Sequence, residues 1–166
     1  MQGLGALASP GGAIFDLTRA YRYSLWRCWD PERPRVTFIL LNPSTADAAR
    51  DDPTIRRCRR FARDWGYGSF EVVNLFAYRA THARDLVRAD DPIGAEADHY
   101  LFQAVARSNR IVAGWGNNGA LRGRDHAVLD LLHGHSLHCL GVTKQGKPRH
   151  PLYIPSAQET LPYCGI

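Results

Sequence analysis

The run Val36-Thr37-Phe38-Ile39-Leu40-Leu41, closed at once by Asn42-Pro43, restricts the fold more than any other stretch of this 166-residue chain. A continuous run of this kind, rich in β-branched and large residues, predicts a strand buried on both faces, as in the middle of a parallel sheet. Asn42-Pro43 must end it. Proline offers no N–H to the ladder and drives the residue before it into an extended conformation. Asn42 is therefore expected at the carboxyl end of a central strand, facing the crevice in which open α/β sheets bind ligands.

Strands and helices alternate along the rest of the chain. Tyr21 to Trp29 alternates large and polar residues and reads as a strand, turned by Asp30-Pro31-Glu32-Arg33-Pro34. Its expected place is an edge, antiparallel to 36–41. Asp52-Pro53 sets a good N-cap before a proline suited to the first helical position, so a helix opens there. Ile55, Cys58, Phe61, Ala62 and Trp65 recur on its buried face, and Gly66 ends it. Further strands are expected at 70–76, 111–115 and 137–142. Helices are expected at 95–107, after a second Asp-Pro pair, Asp91-Pro92, and at 124–132. Residues 1–12 read as a loose segment, 143–166 as mostly loop, and 13–166 as one domain. The order implies an α/β fold of three layers, α/β/α, with a mainly parallel central sheet and an N-terminal antiparallel edge strand.

Hydrophobic residues make up 45% of the chain, enough for a core at this length. No apolar run approaches the roughly 20 residues that span a bilayer. Met1-Gln2-Gly3-Leu4-Gly5 lacks the basic and apolar regions of a signal peptide, so a cytoplasmic protein without a membrane partner is expected. Cys28, Cys58, Cys139 and Cys164 show no CxxC spacing, which predicts reduced thiols. His133, His135 and His138 straddle a helix end and a strand start, so no metal site is expected, and no motif calls for a cofactor. The net charge of +5 rests on arginine, Lys144 and Lys147 being the only lysines. It permits a nucleic-acid partner without requiring one.

Four polar sites fall just after strands: Asn42-Pro43-Ser44-Thr45, Asn74, Trp115-Gly116-Asn117-Asn118, and Thr143-Lys144 running on to His150-Pro151. In a parallel sheet these ends share one edge. Asn42 either orients a water or ligand edge or caps its own loop. Ser44 and Thr45 add hydroxyls and backbone N–H groups suited to a phosphate. Asp47, Asp51 and Asp52 offer a general base or, for Asp52, only an N-cap. Asn74 must find a partner, a ligand edge or a loop backbone, because an unpaired buried amide costs roughly 1–3 kcal/mol. Arg56, Arg57, Arg59, Arg60 and Arg63 fall on the solvent side of the first helix, as a solvated face or a phosphate-binding stripe. Gly141 to Lys147 follows the start of a nucleotide-binding loop, but Pro148 stands where Ser or Thr should hold magnesium, and that reading fails. His150, between prolines and basic residues, is either an exposed loop histidine or a donor to a developing anion.

Leu41-Asn42-Pro43-Ser44-Thr45-Ala46-Asp47 to Asp52-Pro53-Thr54-Ile55, Trp65-Gly66-Tyr67-Gly68, Asn74-Leu75-Phe76-Ala77, Trp115-Gly116 and His150-Pro151-Leu152-Tyr153 together resemble the DUF1643 family of bacterial and phage proteins, over about residues 20 to 155. The order of motifs is also similar to the uracil-DNA glycosylase superfamily. That resemblance implies a fold of the same kind and a role for each matching position. Asn42, with Pro43, would position the attacking water, and Asn74 would read a flipped base. Trp115-Gly116 would close the third strand, and His150-Pro151-Leu152 would stabilise the departing base and wedge the duplex. The chain departs from that pattern in having Asn42 where the most active branch has an aspartate. It also lacks a clear stacking aromatic soon after Pro43, and has Leu152 where serine is usual.

The expected function is a nucleic-acid base-processing protein, a glycosylase-like hydrolase with DNA or nucleotide as partner. Asn42 and His150 would be catalytic. Pro43, Ser44, Thr45, Asn74, Trp115, Gly116, Leu152 and Tyr153 would contact substrate, and Arg56, Arg57, Arg60, Lys144 and Lys147 phosphate. The alternatives are a non-catalytic module of the same fold that binds DNA or modified nucleotides, and an enzyme acting on a free nucleotide. Oligomeric state is not legible.

Overall fold

The 36–41 run does form the middle of the sheet. The structure, a computed structural model, describes residues 10–165. Among these, seven strands make one sheet: β1 (Gly11–Phe15), β2 (Arg22–Cys28), β3 (Arg35–Leu40), β4 (Ser69–Asn74), β5 (Arg110–Gly114), β6 (Leu137–Cys139) and β7 (Leu161–Tyr163). Their spatial order is β1-β2-β4-β3-β5-β6-β7. β3 lies parallel to β4 on one side and β5 on the other, and β6 continues the parallel block. β1, β2 and β7 join antiparallel at the two edges.

Four α-helices are described, α1 (Pro53–Asp64), α2 (Ala83–Arg88), α3 (Ala97–Ala106) and α4 (Arg124–Leu131), with short 3-10 segments at Asn117–Gly123 and Pro151–Tyr153. Val36, Phe38 and Leu40 pack with Ile55, Cys58 and Phe61 of α1, while Ile39 packs on the opposite face with Leu101 and Ala104 of α3 and Val128 of α4. Alternate residues of β3 thus feed two cores. Both faces are covered, which is why its sequence shows no polar alternation.

Several expectations need correction. β2 pairs with β1 and β4, not with β3. The parallel β4 takes the place beside β3, and β1 covers β2, so all seven residues of β2 are buried and it is no edge. The edge is β1, which includes Gly11 and Gly12 of the segment expected to be loose; Met1 to Ser9 lie outside the described residues. Gly12 suits its place because a Cβ there would come within 2.3 Å of the Trp26 ring. Asp91-Pro92 does not open a helix: the Asp91 carboxylate accepts from the N–H groups of Ile93 and Gly94, closing a turn, and α3 starts at Ala97. α2 and β7 were not expected.

A buried ion cluster fixes the far end of the sheet. Glu71 of β4 is fully buried and accepts from Ser24 (2.7 Å), Arg35 (3.2 Å) and Arg107 (2.6 and 3.0 Å), joining β2, β3 and the end of α3. At the other end the topology makes the crevice. The chain leaves β3 over one face, through α1, to β4, and leaves β4 over the other face, through α2 and α3, to β5. The order reverses at β3, so a gap opens beyond the carboxyl ends of β3 and β5, where such sheets hold ligands.

Candidate functional site

A cleft of about 790 Å³ occupies that gap. Its walls come from several separate parts of the chain, among them Ala80, Thr81 and Ala83 after β4. The segment after β3 supplies Asn42, Ser44, Thr45 and Asp52, the end of β5 supplies Trp115 and Gly116, and the tail supplies His150, Leu152 and Tyr153. The size and mixed lining suit a small ligand of the nucleoside class.

Two glycines bring the tail here. A Cβ on Gly114 would lie 3.1 Å from Pro151 Cδ and 3.3 Å from the Arg149 carbonyl, so a bare α-carbon lets this segment rest on the end of β5. Gly116 has φ of 70°, a conformation that favours glycine, and its N–H donates to the Pro148 carbonyl at 2.7 Å. The tail is folded back on itself through Arg149 N–H to Gly141 O (2.9 Å) and Thr143 N–H to Lys147 O (2.8 Å).

His150 Nδ1 accepts from the Leu152 N–H at 3.2 Å, so the ring proton sits on Nε2. Burial lowers its pKa to about 4, against the opposing pull of the Asp52 carboxylate. The imidazole is therefore neutral near pH 7 and offers one N–H donor.

Asn42 spends both amide hydrogens on backbone, donating to Pro43 O at 3.0 Å and Ala80 O at 2.7 Å. The capping role is met, and Oδ1 is left as an acceptor. The same pairing holds the two strand ends together through Leu75 N–H to Leu40 O and Ala80 N–H to Pro43 O. Asp52 caps α1 through Oδ1 to the Ile55 N–H (2.9 Å) and also accepts from the Ala46 N–H (3.3 Å). Asp47 closes a turn by accepting from Ala49 and Arg50, and Asp51 sits between Arg27 and Arg59. All three aspartates are thus occupied structurally. Asp52 is the only acid on the cleft wall among the described residues.

Asn74 lies one strand over, in register with Leu40, and follows Phe70 and Val72 on the α1 face. It is 5% exposed, does not line the cleft, and neither amide atom has a partner. Arg22 of the neighbouring β2 is also buried with Nε unpartnered, while its Nη1 donates to Ala46 O behind the cleft. Desolvation lowers the Arg22 pKa to about 10.

Other expected residues are spread out. Ser44 O accepts from Arg79, and Thr45 is exposed. Pro43 is buried beneath the wall. Trp115 is 1% exposed, edge-on to Tyr163, with its indole N–H unpartnered. Leu152 and Tyr153 stand out at the rim, Tyr153 being 73% exposed. Lys147 is paired with buried Asp125 at 2.6 Å. Burial alone would raise the Asp125 pKa, but hydrogen bonds from Lys147 and the His126 N–H hold it below the usual carboxylate value. Lys144 is exposed in the tail turn. On α1, Arg56 donates to Asp51 O, Arg57 lies over the Phe61 ring and Arg60 pairs loosely with Asp64 at 3.8 Å. Sequence reasoning missed Ala80-Thr81, which line the cleft, and Arg149, whose guanidinium donates to Tyr153 O. No local motif marks the first two; Arg149 stood inside the basic segment already singled out around His150.

No helix of the described residues is long and apolar enough to cross a membrane. Among those residues no group of three or more His, Cys, Asp or Glu side chains could hold a metal ion. The sequence profile of a family described as "Protein of unknown function (DUF1643)" matches residues 22–152. No curated protein and no solved structure matches the chain.

Proposed function

The chain belongs to the DUF1643 family, and from that premise we propose that it acts on a base of nucleic acid, as a glycosylase-like hydrolase. The observation that carries the reading is one cleft of nucleoside size shared by the Asn42 Oδ1 acceptor, whose amide NH2 is already committed to backbone, and a neutral imidazole with one N–H donor.

In this reading a flipped nucleotide enters the cleft. Asn42 Oδ1 accepts from a water held near the sugar C1′. The water oxygen bonds to C1′ as the C1′–N bond breaks, and the electron pair leaves with the base. The His150 Nε2–H donates to that developing anion, and the water's proton ends on the released base. Asn74, buried behind the cleft wall, is not assigned the base edge in this reading, which falls instead to polar groups that line the cleft. Tyr153 at the rim supplies the aromatic face missing beside Pro43. Arg56, Arg57, Arg60 and Lys144 are the proposed phosphate contacts on the outer surface. Lys147, held by Asp125, takes part only if that pair opens.

A second reading is favoured by a specific feature. Among the described residues the one acid on the cleft wall is committed to capping α1, so none of them offers a free carboxylate there to take a proton from water. A module that binds a modified base without cutting it fits that wall equally well.

One experiment separates them. Purified protein is incubated with oligonucleotides bearing uracil, hypoxanthine, mismatches or hypermodified thymines, beside Asn42→Ala and His150→Ala controls. Base release that depends on both residues supports the hydrolase. Salt-sensitive binding without release supports the module. Neither release nor binding overturns both.

A further inference from the structure

Beyond Ser44, on the side away from β5, lies a second and more open groove of about 600 Å³. It shares Ser44, Ala80 and Thr81 with the cleft, so the two depressions have a common wall. Three arginines from three segments line it: Arg19 in the turn before β2, Arg79 after β4, and Arg88 at the end of α2. Among the described residues none of the three forms an ion pair, and Asp85 is the only acid on the wall.

The arrangement is built rather than incidental. Arg19 has φ of 61°, in the left-handed region that side chains other than glycine avoid at a cost of about 1 kcal/mol. A turn holds it there, with Arg19 N–H on Asp16 O and the Asp16 carboxylate accepting from Thr18 and the Tyr21 N–H. Its guanidinium lies 4.0 Å from the centre of the Phe15 ring, and that of Arg79 lies 5.0 Å from the same ring. Arg79 donates to Ser44 O at 3.1 Å and to Arg19 O at 3.2 Å, fastening the cleft loop to the turn. Cations gathered this way repel one another. A bound dianion relieves the repulsion, and the planar guanidinium fork matches phosphate oxygens.

We propose that this groove seats a phosphate group of the nucleotide whose base occupies the cleft. The inference rests on the base-binding reading of the cleft and adds a second contact surface to it. The common wall is where the sugar would lie. The phosphate belongs either to a nucleic-acid strand or to a free nucleotide, the chemistry being the same.

The test is fluorescence anisotropy with a labelled single-stranded oligonucleotide over a range of salt, with deoxynucleoside monophosphates and the parent deoxynucleosides as competitors. Arg19→Ala and Arg88→Ala remove exposed groove cations. Arg33→Ala, in the turn leading into β3 at the opposite end of the sheet, removes the same charge elsewhere. Each groove variant is expected to weaken binding several-fold and to lower the slope of log affinity against log salt by about 1, with a smaller change for Arg33→Ala. Strong competition by the monophosphates identifies a free nucleotide as the source, and weak competition a strand. Groove variants that bind like wild type, nucleosides that compete strongly and as well as monophosphates, or wild-type protein that binds none of these probes at low salt overturns the proposal. If the groove variants weaken binding while Asn42→Ala and His150→Ala do not, the groove stands and the base-binding reading of the cleft falls.

Discussion

At His150 the direction of one hydrogen bond fixes what the side chain can do. Burial lowers its pKa to about 4 against the pull of Asp52, and protonation at Nδ1 would also break the bond that it accepts from Leu152 N–H. Ligand binding or turnover that depends on the neutral ring should therefore be level from pH 5 to 8 and change only toward pH 4, where protonation keeps the Nε2–H but breaks the Nδ1 contact that positions it. An inflection near 6.5 that disappears in His150→Gln would refute this. The same shift has a stability consequence. Between pH 6.5 and 4 the unfolded chain takes up a proton at this residue that the folded chain does not, so its contribution is intact above 6.5 and lost as pH falls to 4. Urea unfolding at pH 7 and 4.5 should show a smaller loss for His150→Gln than for wild type. Asn42 gives a complementary prediction. Because both amide hydrogens bind backbone carbonyls, Asn42→Asp gains a carboxylate but loses two donors, and it should destabilise the fold by about 1–3 kcal/mol. A variant as stable as wild type would show that the Ala80 contact is dispensable.

At the level of elements, two Asp-Pro pairs show how one dipeptide has two outcomes. Asp52 reaches the N–H three residues on and caps α1, while Asp91 reaches Ile93 and Gly94 and closes a turn, with Gly94 at φ of 95° leaving the helical path. Asp52→Ala should destabilise the protein by about 1 kcal/mol, read by thermal or urea unfolding. It should also loosen Ala46, whose N–H shares the carboxylate. The closeness of β5 to the tail yields a second test. Gly114→Ala places a methyl against Pro151 and the Arg149 carbonyl, and should cost about 1–3 kcal/mol while weakening ligand binding through displacement of His150. Ligand affinity unchanged in a folded Gly114→Ala protein would separate the His150 position from the packing of β5.

Across the whole molecule, the strand order decides which residues meet. A hairpin of β2 with β3 was the economical expectation from sequence, because sequence neighbours usually pair. Instead β4 inserts between them, and Glu71 joins β2, β3 and α3 from the middle. Removing that carboxylate leaves Arg35 and Arg107 facing each other without the anion between them. Glu71→Ala should therefore destabilise by about 3–5 kcal/mol in equilibrium unfolding. A change under 1 kcal/mol would show that the cluster is not what holds the parallel centre to its antiparallel edge.

What the sequence determined by itself was local. The unbroken run of β3, the proline that stops it, the N-cap and apolar stripe of α1, and the glycine after it all act within a few residues, through backbone sterics and one-sided burial. That was enough for the parallel centre and for placing Asn42 at a strand end. Strand ends that share one edge already suggested His150 near Asn42, but only the tertiary structure decided that Asn74 stays behind the cleft wall and that Arg19, Arg79 and Arg88 share a groove. Those meetings depend on strand pairing between distant segments and on bare α-carbons that let chains touch. No pattern within a single segment encodes which distant partner it will meet.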